Sequence, residues 1–145
     1  MTLVEFLTQN GYTRGPLSKS GIGHFHTDGT LDGRPLSVLV DTGAGSTVFS
    51  LDIAREMGLA LTRLEMQGGG AGAAQLDVYR IQEASFRLGR LTPKVGTLLA
   101  LDLMHVNQAA ALRNSGPIDA VLGADVLEAH SAVIDYGSSS LYLKL

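Results

Sequence analysis

One carboxylate stands out in the sequence because of the residues on either side of it. Asp41 ends the apolar run Ser37–Val40 and is followed by Thr42, Gly43 and Ala44, in the stretch SVLVDTGAGSTVFS. Burying a lone carboxylate is costly unless a partner or a shifted pKa compensates, and this strand is expected to bury it. The stretch alone has two interpretations: a β-turn in which Asp41 binds its own backbone, or a carboxylate kept for chemistry.

The composition narrows the classes of protein that can use this carboxylate. The chain has 145 residues, 18 glycines, no cysteine and a net charge of −3. This length suits one domain, and the glycine content favours a loop-rich β-protein over a helical bundle. No basic block accompanies the charge, so neither nucleic acid nor a membrane is a predicted partner. Without cysteine, a disulfide scaffold, a thiol nucleophile and a thiolate metal site are excluded.

The first twenty residues differ in pattern from the rest of the chain. Leu3, Phe6 and Leu7 share a helical face, so residues 1–20 are predicted to form a short helix or an ordered arm. They lack the basic start and sustained apolar core of a signal peptide, and no apolar run approaches the ~20 residues of a membrane span. The compartment stays open: cytoplasmic if the chain is complete, periplasmic or membrane-anchored if a signal or anchor was removed.

From residue 21 onward, strand and turn patterns predominate. Asp32-Gly33 is a hairpin signal before the strand that leads to Asp41, and the last fifteen residues predict two strands around a Gly-Ser turn. Short helices are indicated in SLDIAREMGL, HVNQAAALRNSG and ADVLEAH, the first capped by Ser50 or Asp52 and the last by Asp125. No linker interrupts residues 21–145, which are predicted to be one domain.

Three features occur together in this chain: VLVDTGAGSTVFS, the glycine-rich tract GGGAGAAQ, and AVLGADVL. Together they resemble the retropepsin-like, or retroviral-type, single-domain aspartic protease family, in the branch that bacteria also carry. The resemblance runs from about Gly23 to Leu145. It implies an all-β fold, a closed β-barrel or sheet with one or two short helices, and an endopeptidase that acts as a homodimer on peptide or protein substrates without a cofactor or metal.

The resemblance also assigns roles to the residues around Asp41. The same aspartate of a second chain is the expected partner, with a shared proton and a water held between the two carboxylates. The Gly43 N–H would donate to a carboxylate, and the Thr42 hydroxyl would cross the two-fold axis to the partner's backbone. Ala44 would leave room for the substrate backbone, and Ser46 and Thr47 could tie the loop internally.

Two other segments take their roles from the same resemblance. The glycine-rich tract falls where the family has its flap, with Gly70, Ala71 and Gly72 at the predicted tip. The run Val121-Leu122-Gly123 is expected to pack behind the aspartate loop, and Asp125 to cap the following helix. The chain departs from the family pattern at Ala124, where retroviral members usually carry arginine, and at Gly45, where serine or aspartate is common.

Several alternatives compete with this interpretation. A dimerisation or peptide-binding module could keep the fold without catalysis. His24 and His26 face one side of a predicted strand, as metal ligands could, but without a third ligand they are read as a surface pair. Ser-His-Asp catalysis needs a buried histidine, and neither His105 nor His130 has that setting in the sequence.

Overall fold

The structure, a computed structural model, describes residues 1–21, 23–68, 76–112 and 115–145. Short strands predominate in these residues, and each helix has nine residues or fewer. The helices are α1 (Leu3–Gln9), α2 (Leu51–Glu56), α3 (Met104–Leu112) and α4 (Ala124–Ala129). The strands are β1 (Tyr12–Pro16), β2 (Ser18–Lys19), β3 (Phe25–Leu31), β4 (Arg34–Val40), β5 (Val48–Ser50), β6 (Leu61–Gly68), β7 (Leu76–Ile81), β8 (Phe86–Arg87), β9 (Leu99–Leu101), β10 (Ala120–Leu122), β11 (Val133–Asp135) and β12 (Ser140–Lys144).

The strands form two sheets. The larger sheet has nine strands in the order β2-β3-β4-β10-β5-β9-β7-β6, with β8 paired to β3. Two of its pairings are parallel, β4 with β10 and β5 with β9, and the others are antiparallel. The smaller sheet has the order β1-β12-β11. The predicted all-β class is confirmed.

Two details of the predicted architecture are wrong. The larger sheet is not a closed barrel in the described residues, because its end strands β2 and β6 pair only with β3 and β7. Closure needs hydrogen bonds between the first and last strands, and β2 has only two residues to offer. The described residues also contain four short helices rather than one or two. Each helix coincides with a local helical pattern, so the error lay in expecting so few of these patterns to fold as helices.

Local sequence signals explain how several elements begin and end. Asp32 and Gly33, with φ values of 47° and 82°, make the tight turn between β3 and β4 that the sequence predicts. Ser50 Oγ accepts the Ile53 N–H at 3.3 Å and so caps α2. In α1, Thr2 and Glu5 form a capping box, but only Leu7 of the predicted apolar face is buried.

The hydrophobic core has two parts. The main cluster packs residues of both sheets with α2 and α4, including the fully buried Leu31, Val38 and Leu122. The smaller cluster lies around Leu103, Ala110, Ile118 and Val121, and joins α3 to the sheet beside the Asp41 loop. Both core clusters therefore support the candidate site. No helix among the described residues is long and apolar enough to span a membrane.

Candidate active site

Asp41 is held where β4 ends beside β10. Leu39 and Val40 pair in parallel with Val121 and Leu122, and the Asp41 N–H donates to the Leu122 carbonyl at 3.0 Å. The two apolar strands predicted from the sequence thus lie side by side. Their pairing fixes the backbone from which the carboxylate projects.

The carboxylate of Asp41 binds its own loop. The Gly43 N–H donates to Asp41 Oδ1 at 2.9 Å, and the Ala44 N–H donates to the Asp41 carbonyl at 3.2 Å. A Cβ atom on Gly43 would lie 3.3 Å from Asp41 Oδ1, so glycine permits this close approach. Thr42 and Gly43 are exposed, and Asp41 is half-buried rather than buried as the sequence predicted. Asp41 lines two cavities, which leaves it partly accessible.

Thr47 ties the loop to the segment that follows β10. Its side chain is fully buried, and its Oγ1 donates to Asp125 Oδ1 at 2.7 Å and accepts the Gly123 N–H at 3.0 Å. The same carboxylate oxygen also accepts the Thr47 N–H at 2.9 Å and the Val126 N–H at 2.8 Å. The predicted capping role of Asp125 needs correction, because Gly123 is the N-cap of α4 and Asp125 lies inside its first turn.

The Asp41 loop and the β10–α4 connection cross at van der Waals distance. A Cβ atom on Gly123 would lie 2.7 Å from the Ser46 carbonyl carbon and oxygen and 2.8 Å from the Ala44 oxygen. The Ala124 N–H also donates to the Ala44 carbonyl at 2.7 Å. Glycine is therefore required at this crossing for steric reasons, since its φ of −102° is open to any residue. Val121 and Leu122, at 7% and 0% exposure, pack behind the loop.

Asp41 lies between two cavities. The larger one, called the cleft here, has a volume of about 520 Å³ and runs from Asp41 along Gly43–Ser46 to α3. Its apolar walls are Val48, Leu76, Leu101, Leu103, Val106 and Val121. The smaller one, called the β11 cavity, has a volume of about 230 Å³ and joins Asp41 and Thr42 to Ile134 and Tyr136. One carboxylate thus faces an apolar groove on one side and the edge of the smaller sheet on the other.

The predicted flap tip at Gly70, Ala71 and Gly72 lies outside the described residues. The strands on either side of it, β6 and β7, pair antiparallel, with Gly68 opposite Leu76. Leu76 also lines the cleft. The last described pair of β6 and β7 therefore lies at the candidate site.

Three contributions to the site region were not predicted from the sequence. Helix α3 brings His105 and Val106 to the cleft, although its sequence was read only as a short helix. Ile134 and Tyr136 reach Asp41 from almost a hundred residues away, which no local pattern reveals. His130, against expectation, is buried at 2% exposure: its Nε2 accepts the Lys94 N–H and its Nδ1 lies 2.8 Å from the Lys144 carbonyl. His130 therefore contacts backbone groups of two other segments, and it lines neither of the cavities beside Asp41.

We also searched the described residues for side chains that could bind a metal ion. No group of three or more histidine, cysteine, aspartate or glutamate side chains could hold a metal ion in the described residues. His26 lies in β3 and His24 just before it, so only one of the two is on the strand predicted to carry both. Both line a further cavity considered below.

An Asp-Thr-Gly loop between β4 and β5, locked by a glycine after β10 in an all-β domain, defines a retropepsin-like site. A family model described as "Aspartyl protease" matches residues 27–126, more than half of the chain, and the chain belongs to that family. Placement in a bacterial branch stays a prediction.

Known proteins support this assignment at the level of the family and fold. The chain is 24% identical over 136 residues to "DNA damage-inducible protein 1" of Cryptococcus neoformans, in two strains, covering 92% of this chain but only 28% of the relative. Among solved structures, the retroviral protease-like domain of Ddi1 from Leishmania major aligns with a TM-score of 0.55 and 17% identity, covering 81% of this chain and 86% of that one. A retropepsin-like aspartic protease from Rickettsia conorii aligns with a TM-score of 0.54 and 19% identity, covering 91% and 90%.

Proposed function

We propose that this chain is an aspartic endopeptidase that hydrolyses peptide bonds with a water activated between the Asp41 carboxylates of a homodimer. The observation that carries this proposal is the position of Asp41. Its half-exposed carboxylate projects from a locked loop into an apolar cleft of about 520 Å³. One such carboxylate per chain supplies half of a two-carboxylate site.

The chemistry follows from placing two such loops face to face. Two carboxylates a few ångströms apart share one proton, because both cannot ionise comfortably at that distance. The ionised carboxylate takes a proton from the water, and the protonated one polarises the scissile carbonyl. Gly43 holds the carboxylate through its N–H, Thr42 is free to reach the partner's loop, and Ala44 leaves space for substrate backbone. Gly70, Ala71 and Gly72 keep their proposed role as flap tip over the substrate.

The second copy is proposed to dock along the free edge of β11. Among the described residues of the smaller sheet, β11 pairs with β12 on one side only, and such an edge offers unpaired backbone groups to another strand. The β11 cavity places Ile134 and Tyr136 beside Asp41 and Thr42, and Tyr136 is 69% exposed. A partner strand on this edge would cover the exposed side of the Asp41 loop, and the half-burial of Asp41 would become burial.

Replacement of Asp41 tests the proposal directly. Asp41→Asn keeps the side-chain shape and the acceptor for the Gly43 N–H, but it removes the ionisable group. We expect cleavage of unstructured peptides to fall by at least ~10³-fold, in the range for loss of an acid–base group. Thermal unfolding and sedimentation should be close to those of the parent.

The matched control is Asp102→Asn, in which the changed carboxylate also lines the cleft but lies outside the Asp-Thr-Gly loop. This variant should retain cleavage. If the parent dimerises and binds peptides but cleaves none between about pH 4 and pH 7, the non-catalytic peptide-binding module replaces the enzyme.

A further inference from the structure

A third cavity, called the histidine cavity here, lies between β3 and α3. Its volume is about 310 Å³. Leu39, Val106, Ala110 and Ile118 form its apolar part, and all of these except Val106 belong to the smaller core cluster or border it. Its polar part consists of His24, His26, Ser20 and Ser115. A space of this size is sufficient for one amino-acid side chain.

The histidine cavity is next to the candidate active site. Leu39, which lines it, is two residues before Asp41 and also lines the β11 cavity together with Asp41. Val106 lines both the histidine cavity and the cleft, and His24 lines both the histidine cavity and the β11 cavity. A peptide bound with its scissile bond at Asp41 thus has the histidine cavity beside it.

The two histidines are held in place by the turn that joins β2 to β3. Ser18 pairs with His26 across these strands, and the Gly23 N–H donates to the Ser20 carbonyl at 2.9 Å. Ser20 Oγ accepts the His24 N–H at 3.2 Å. The imidazoles are therefore presented from a hydrogen-bonded hairpin, which limits the entropy lost when they bind a ligand.

The polar groups of the histidine cavity lack a negative counterpart. No acidic side chain lines it among the described residues. Burial, and then the neighbouring His24, lowers the pKa of His26, because a second positive charge close by opposes its protonation. Ser115 Oγ is buried without a hydrogen-bond partner in the described part of the chain, which is a costly condition for a hydroxyl.

We propose that the histidine cavity is a specificity subsite that takes a carboxylate side chain, glutamate or aspartate, of the substrate. The inference rests on the proposed peptidase function and names a substrate class for it. A carboxylate accepts hydrogen bonds from both imidazoles and from a hydroxyl, and its charge compensates the charge that protonation brings to His26. An amide of the same shape supplies no such compensation.

The surrounding charges set the expected pH dependence. Asp41 faces His24 across the β11 cavity, and Asp28 follows His26 by two residues on β3 but lines a different cavity. Lys19, on β2, lies over the Phe25 ring at 5.8 Å, and His105, on α3, lines the cleft instead. None of these neighbouring charged groups lines the histidine cavity itself. Preference for a carboxylate should strengthen as the pH falls through the lowered pKa of His26, while the glutamate side chain stays ionised above ~4.3.

The experiment compares peptides that differ only by Glu or Gln at each position flanking the scissile bond. At one position, we expect kcat/KM at about pH 5 to favour Glu by at least ~10-fold, in the range for a charge-assisted hydrogen bond. This ratio should decrease towards about one near pH 8 as His26 loses its charge. In the variants His24→Asn and His26→Asn, the Glu/Gln ratio of kcat/KM should lie within about twofold of one at every pH. In the control His105→Asn, this ratio should equal that of the parent.

A second measurement does not depend on cleavage. Imidazole resonances of His24 and His26 are titrated with N-acetyl-glutamate amide and with N-acetyl-glutamine amide. The glutamate compound should raise the pKa of His26, and the glutamine compound should not. Cleavage with equal Glu and Gln rates at all positions overturns the subsite while the peptidase stands. Absence of cleavage overturns the proposed peptidase function, and the resonance titration then tests the subsite by itself. If the histidine resonances do not shift, the subsite is overturned. A shift that only the glutamate compound causes supports the subsite.

Discussion

The Thr47 hydroxyl stabilises the candidate site although it takes no part in the proposed reaction. It donates to Asp125 Oδ1 and accepts the Gly123 N–H, and its side chain is fully buried. Asp125 Oδ1 accepts three donors in total, two of them from Thr47. Because buried polar groups are costly to leave unpaired, these contacts hold the Asp41 loop against α4 more firmly than packing alone would.

Replacing Thr47 by valine should therefore be strongly destabilising. Thr47→Val preserves the shape but leaves the Gly123 N–H without its acceptor and Asp125 with one donor fewer. We expect the free energy of unfolding to fall by about 2–3 kcal/mol, measured by urea denaturation. The neighbouring Ser46→Ala is the control, since Ser46 is exposed and should change stability by less than about 0.5 kcal/mol. Equal effects of the two substitutions would show that the buried network adds little.

At this scale the sequence indicates which residues matter better than how they interact. Asp41, Thr42 and Gly43 can be selected from their local pattern, and the Gly43 N–H does donate to Asp41. The partnership of Thr47 with Asp125 could not be derived, because it joins residues 78 positions apart. The burial of His130 was missed for the same reason, since Lys94 and Lys144 bind it from distant segments.

At the scale of elements, the crossing of the Asp41 loop with the β10–α4 connection determines the geometry of the site. Parallel pairing of β4 with β10 and the contact of Gly123 with Ala44 and Ser46 place the loop directly over the start of α4. The sequence predicted both apolar runs and the glycine. The parallel register could not be deduced from the alternation pattern, because each run is apolar on both faces and fits several partners.

A methyl group at this crossing should therefore disrupt the site. Gly123→Ala would put Cβ within 2.8 Å of three backbone atoms, which cannot move away as a flexible side chain can. We expect a loss of about 2–3 kcal/mol in unfolding free energy, as for overpacking, together with loss of cleavage. Gly45→Ala, in the same loop but with no atom within 4 Å of its Cβ, is the matched control and should retain both. A stable and active Gly123→Ala variant would contradict the close approach.

Two further features show what the sequence leaves undetermined: how helix α3 is held in place, and whether the sheet closes. Helix α3 buries only Ala110 but is fixed by Asn107, whose side chain binds both backbone groups of Ile118. Such a long-range tie stabilises a segment that its own sequence leaves marginal. Closure of the sheet was implied by the family resemblance, and the alternation of the strands gives no information on whether the end strands meet.

At the scale of the whole molecule, one chain provides a half-exposed carboxylate and a free strand edge close to each other. If two copies complete the site, the rate of cleavage should rise more steeply than linearly with enzyme concentration until dimers saturate. The rate should also pass through a maximum with pH, because only the singly protonated pair has both a base and an acid. Initial rates measured over a series of enzyme concentrations and a series of pH values test the two expectations. Sedimentation at each concentration gives the oligomeric state. Linear dependence down to concentrations at which only monomer sediments would refute the shared site.

The position of β12 has a consequence for the order in which the chain folds. β12 is the middle strand of the smaller sheet, and its register places Lys144 opposite Tyr12 and Leu143 opposite Thr13. During synthesis, β1 therefore waits for almost the whole chain before its partner exists, and such non-local pairing is slow. Pulse-labelling hydrogen exchange during refolding should show β3 and β4 protected early and β1 with β12 last. Early protection of β1 would mean that it first pairs elsewhere and must exchange partners.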